Sequence, residues 1–305
     1  MLNLIPPLIL LAGGCQAFNH QDVRLSYRDP ATGIHVERGR PSQLIDGIGS
    51  VASIPSKLAL WDRRADNHDV SKDTESALLQ YMDHNQLNDT LVRVNQYDPL
   101  GEWKRLTANH RIHPGWRYTV GVYNGLKYTL LPGRILGGDW YNPFTDTTHI
   151  YSDLSPLAIS RTAYAKDVRS QPLPGLYAAS QEIPLLNMLH ESRARQETLM
   201  YYRQVGDPYE QSEARRVIEP DYGGSWVAQV ASILPYGAPL GRLVGAGVGH
   251  LTNRIRNSTH GANANQLTTH DPDACDSIGA CNANSPLPRQ LSTSSRPEMP
   301  PSLSP

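Results

Sequence analysis

The chain has 305 residues, 39% of them hydrophobic and 19% charged, which is enough for one substantial core or two small ones. Its 28 Lys and Arg against 29 Asp and Glu give a formal net charge of -1. That balance leaves no global positive field for sequence-independent nucleic-acid binding, and the composition as a whole is not that of a disordered chain.

The opening residues, MLNLIPPLILLAGGCQ, form an apolar run of signal-peptide length, too short for the roughly 20 residues that span a bilayer. Ala12, Gly13 and Gly14 precede Cys15, a sequence that resembles a bacterial lipobox. On that reading residues 1–14 are a lipoprotein signal peptide and Cys15 is the lipidated N-terminus, anchoring the protein to a membrane of the cell envelope. Gln16 stands where the inner-membrane retention residue is Asp, so the periplasmic face of the outer membrane is the expected address. In such an oxidising compartment Cys275 and Cys281 are expected to form a short local disulfide; His270 beside them does not complete a tetrahedral metal site.

Residues 15–70 read as a strand-rich segment, in which DVRLSYRDPATGIHVERG predicts a hairpin and KLALW another strand. The next segment, 71–255, begins with the helix SKDTESALLQYMDHNQ, capped by Ser71 and Asp73, with Ala77, Leu78, Tyr81 and Met82 on one face. DTLVRVNQY is a strand. RYTVGVYNGLKYTLLPG predicts a second hairpin about Asn124-Gly125, because that pair permits the positive φ values of a type I′ turn. A glycine-rich turn, GRILGGDWYNPF, leads to the strand THIYS, with Thr148 to Ser152 extended. Ser155 then caps and Pro156 opens a three-turn helix, and a longer helix begins at Pro184. Gly237, Gly241, Gly245 and Gly249 recur every four residues, a stripe that suits close approach of another helix or tight internal packing. The remainder, 256–305, is rich in Asn, Ser and Pro and reads as a disordered tail. The expected class is α+β: a small antiparallel sheet with an edge strand over a helix, followed by a helical half.

The stretches VNQYDPLGEWKRL, GWRYTVGVYNGLKYTLLPGRILGGDWYNPFTDTTHIYSD and AYAKD, within residues 90 to about 205, resemble a family of exported zincin-like proteins. That family carries HExxH on the helix ahead of AKD. In HExxH, histidines one turn apart hold zinc and the glutamate is general base on the metal-bound water. The resemblance puts the first histidine at Ser160, the glutamate at Arg161 and the second histidine at Tyr164, so the motif is degenerate. Glu191 takes the place of a downstream glutamate ligand and Asp167 that of the aspartate of AKD.

A catalytic zinc needs three protein ligands, and Glu191 is the one candidate left. Arg161 would also repel a divalent cation, by on the order of 4 kcal/mol per pair of unit charges at about 4 Å. No metal or other cofactor is expected. Arg161 is expected either to pair with Glu191 or to face solvent while Glu191 pairs with Arg195. His149 and His190 are the histidines nearest to rebuilding a metal site, but His190 lies about 100° round the helix from Glu191. Asp139 and Tyr141 are candidates to line a groove with Arg161 and Glu191. P-loop, dinucleotide and GxSxG signatures are absent from the sequence. These features predict a lipid-anchored, non-catalytic binding or scaffolding pseudoenzyme for a peptide or protein ligand; the alternative is an active metallopeptidase-like hydrolase with a non-standard site.

Overall fold

The computed structural model describes residues 23–40, 42–136, 138–231 and 242–256. Cys15, Cys275, Cys281, the tail from 257, and Gly237 and Gly241 of the stripe lie outside them. β1 (Val23–Arg28) and β2 (His35–Gly39) form the first expected hairpin. Its turn is held by Asp29, whose carboxylate accepts from the Thr32 N–H at 2.9 Å and hydroxyl at 2.8 Å, and by Gly33 at φ 71°. α1 (Gln43–Ala52) and α2 (Ile54–Leu60) follow. KLALW is therefore the end of a helix and not a strand. Pro55 sits in its first turn, and Ala59 and Leu60 are buried side by side, which an alternating strand would not allow.

α3 (Lys72–His84) starts as its sequence dictates, with the Ser71 hydroxyl accepting from the Thr74 N–H at 3.2 Å and with Leu78, Tyr81 and Met82 buried. After β3 (Leu91–Val94) and α4 (Pro99–Ala108), the second expected hairpin is replaced by helix: Pro114–Trp116, a π turn at Arg117–Gly121, and α5 (Val122–Leu130). Tertiary packing outweighs the turn preference of Asn124-Gly125. A Cβ at Gly125 would lie 3.2 Å from the Trp103 ring, and the Asn124 amide donates to the Val120 carbonyl and to Glu182. α6 (Gly133–Leu136) leads to β4 (Trp140–Asn142) and β5 (Thr147–Ile150). The helical half comprises α7 (Ser155–Ser170), α8 (Pro174–Ser180), α9 (Pro184–Val205), α10 (Pro208–Ala231) and α11 (242–256).

The class is α+β as expected, but the sheet is mixed. Its order is β1-β2-β3-β5-β4; the outer pairs are antiparallel, whereas β2-β3 and β3-β5 are parallel. Long helical connections return the chain to the same end of the sheet, as parallel pairing requires. The edge strand is β4, inside the expected glycine-rich turn, and β5 is interior. The strands of segment 15–70 and those of segment 71–255 share this one sheet.

Period-two alternation divides the sheet into faces. Val92, Val94, Tyr141 and Ile150 join the core with α3, α7 and α9. Arg93, Asn142 and His149 turn to the other face, where each meets Glu102 of α4. The described part of the glycine stripe packs internally. A Cβ on Gly245 would stand 2.0 Å from the Gly223 carbonyl oxygen, and one on Gly249 2.6 Å from that of Glu219, so α11 crosses α10 backbone to backbone.

Candidate functional site

Ser155 is the first residue of α7 and Leu154 its cap, a one-residue change from expectation; Pro156 fits the first turn. Along this helix Ser160, Arg161 and Tyr164 share a face. They line a cavity of about 530 Å³ with Asp66, Asp139, Tyr141, Glu191 and His190. The four groove candidates Asp139, Tyr141, Arg161 and Glu191 and the degenerate motif positions Ser160 and Tyr164 thus all line one cavity, a volume suited to a small ligand or a few residues of a chain.

Arg161 faces inward. Its Nη2 donates to Asp221 Oδ2 at 2.6 Å, and Nη1 lies 3.9 Å from Glu191 Oε2. Asp221 also faces Arg242 at 3.5 Å. Glu191 does not pair with Arg195, which makes a forked ion pair with Glu219 of α10. The anticipated Arg161–Glu191 contact is thus present but loose, and the tight partner is Asp221, on a third helix. Burial weakens the charge on Arg161, but Asp221 and Glu191 outweigh it and keep the guanidinium protonated. Burial raises the pKa of Glu191 and Asp221 adds to the rise, while Arg161 opposes it.

Asp139 sits beyond the end of β5. Its Oδ1 accepts from the N–H groups of Tyr151 at 2.5 Å and Ser152 at 3.0 Å. The Ser152 hydroxyl reaches Asp66 Oδ1 at 3.2 Å, so one serine links both carboxylates. Asp139 Oδ2 is buried without a hydrogen-bond partner. Burial, and next the charge of Asp66, push the Asp139 pKa up to about 7.

Of the remaining candidates, His149 and Asp167 lie outside the cavity lining and His190 is part of it. His149 is fully buried on the α4 side of the sheet, 3.3 Å from Glu102 and stacked on Trp140. His190 contacts the Ser180 hydroxyl at 2.8 Å and stands edge-on to Tyr164; burial lowers its pKa and keeps it neutral. Asp167 accepts from the Tyr177 hydroxyl and does not line the cavity. A zinc does not fit this donor set: among the described residues there is no group of three or more His, Cys, Asp or Glu placed to hold a metal.

Asp66 and Asp221 escaped the sequence reading. Asp66 has a local signal, in that RRADNHD is rich in turn formers and Asp66 itself adopts φ 44°. Asp221 follows Pro220 inside α10, and nothing local reveals a partner 60 residues away. No helix among the described residues is long and apolar enough to cross a membrane. Compared with known protein families, curated proteins and solved structures, the chain matches none of them.

Proposed function

We propose that this chain is a lipid-anchored envelope protein whose zincin-like frame has exchanged catalysis for binding. One observation carries the reading: a guanidinium, held 2.6 Å from Asp221 and beside Glu191, occupies the place where the resemblance puts a general base next to zinc. A fixed cation there disfavours a metal and neutralises the remaining ligand candidate. The edge strand β4, whose Trp140 and Tyr141 line the cavity, is where an extended peptide would add to the sheet, held by β-augmentation without cleavage.

The test is the metal content of the purified protein after exchange through zinc-containing and then metal-free buffer, beside the variant Ser160→His/Arg161→Glu/Tyr164→His. The expected result is no bound metal in the wild type and about one zinc per chain in the variant, with three ligands restored. Stoichiometric metal in the wild type, or hydrolysis of peptides by it, would overturn the reading.

A further inference from the structure

The charges around the cavity are unevenly matched. Arg161 and Arg242 face Asp221 and Glu191, and Lys127 is 2.8 Å from Glu182. Among the described residues, Asp66 and Asp139 have no ion-pair partner. Ala65, which precedes Asp66 in the chain, clusters with Leu60 and Leu157, and all three also line the cavity. On the α7 and α9 side, the Tyr164 hydroxyl and His190 Nδ1 are buried without partners, although both side chains line the same cavity and are only 5% and 3% exposed. Buried polar groups are almost always hydrogen-bonded, so such orphans on two walls of one cavity mark a place for a polar ligand.

We infer that Asp66 and Asp139 form a subsite for a primary ammonium group, with Leu60, Ala65 and Leu157 receiving its aliphatic stem. This rests on the binding function proposed above and names the chemistry it selects. A buried, uncompensated carboxylate calls for a cation. Asp139 Oδ1 is already occupied by two backbone N–H groups, which leaves a single oxygen free. One oxygen suits the compact, three-donor ammonium better than the planar fork of a guanidinium, which prefers both oxygens of a carboxylate. Two carboxylates also fall short of the six or more oxygen ligands that calcium takes. The ionisable neighbours are few: Asp66 raises the Asp139 pKa, while Arg161 and Tyr151 interact with Asp139 and His68 with Asp66. Ammonium binding therefore strengthens as Asp139 loses its proton toward pH 8.

A peptide can supply this group from a lysine side chain or from its N-terminus. Calorimetry on the full chain at pH 8 separates the two with three probes: Nα-acetyl-lysinamide, alaninamide, and Nα-acetyl-norleucinamide as the uncharged counterpart. The expected result is at least tenfold tighter binding of one amine than of the norleucine probe, weakening at pH 5.5. A lysine source favours the first probe. An N-terminal source favours alaninamide, whose binding falls again above about pH 8 as its own amine deprotonates. Asp139→Asn keeps the Oδ1 acceptor for Tyr151 and Ser152 and is expected to erase the preference; Asp66→Asn, which leaves those bonds untouched, is the second variant should the first fail to fold. Equal binding of all three probes, no binding of any, or a preference that survives both variants would overturn the inference. Equal binding of all three probes by the wild type, with peptide binding itself retained, sinks this inference alone, whereas bound metal or hydrolysis sinks the proposed function.

Discussion

Replacing Arg161 by Ala removes the cation that holds two carboxylates from different helices. Asp221 is 4% exposed and, among the described residues, would keep only Arg242, at 3.5 Å and on a side chain 41% exposed, and Glu191 would keep none of the described cations at ion-pair distance. Breaking a buried pair from one side costs about 3–5 kcal/mol, because the surviving charge stays desolvated. Arg161 retains 19% exposure at the cavity wall and Arg242 remains, so the lower end, about 3 kcal/mol, is expected. For a chain of this size that is a fall in Tm of roughly 6–12 °C. Urea unfolding of the single and double variants locates the energy. Coupling of Arg161→Ala with Asp221→Asn should reach about 2 kcal/mol, and coupling with Glu191→Gln should stay under about 1 kcal/mol. A loss below about 1 kcal/mol for Arg161→Ala, or stronger coupling to Glu191 than to Asp221, would refute the ion-pair geometry as the organising feature of the cleft.

Three further outcomes follow from other sites. Asp139 has a native pKa of about 7 against its ordinary 3.8, so the native state binds this proton more tightly than the unfolded chain. Its contribution is full below 3.8 and is lost as pH rises through about 7, so Asp139→Asn should flatten the fall in urea midpoint across that window; an unchanged slope would refute the assignment. Arg93, 1% exposed, pairs with Glu37, Asp98 and the equally buried Glu102. Arg93→Met should cost about 3–5 kcal/mol in urea unfolding, and a loss under about 1 kcal/mol would show that the network carries little. Gly245→Ala forces a Cβ onto the Gly223 carbonyl and should cost about 1–3 kcal/mol or free α11 for proteolysis, whereas Gly247→Ala, with nothing within 4 Å of its Cβ, should be silent; equal behaviour of the two would contradict the crossing.

The elements that could be read from sequence were those whose boundaries are set locally. Ser71, Pro156 and Pro184 each mark a helix start because a cap or a fixed φ acts over one turn. The Asp29–Gly33 turn was legible for the same reason. Asn124-Gly125 misled because its turn preference is worth less than packing on Trp103 and bonding to Glu182. Strand direction was not legible, since a parallel or antiparallel partner leaves no mark on a four-residue strand such as LVRV. In the cleft, the resemblance picked out Ser160, Arg161, Tyr164 and Glu191, and helix periodicity explains why the first three share one wall. Asp221 and Asp66 reach the site only through tertiary contacts with α7 and with the end of β5, and no local pattern encodes those.

The order of strands also dictates a timetable. β5, the last strand in the sequence among the described residues, inserts between β3 and β4, and β3 already carries β2 on its other side. Until Ile150 has emerged, a nascent chain can hold β1, β2 and β3 but must present β3 with one side bare. A bare inner strand is a template for wrong pairings, and non-local parallel ladders are slow to close. For the first half of its synthesis the chain therefore depends on being kept apart from its copies, and the closing of the sheet is the event that ends that dependence.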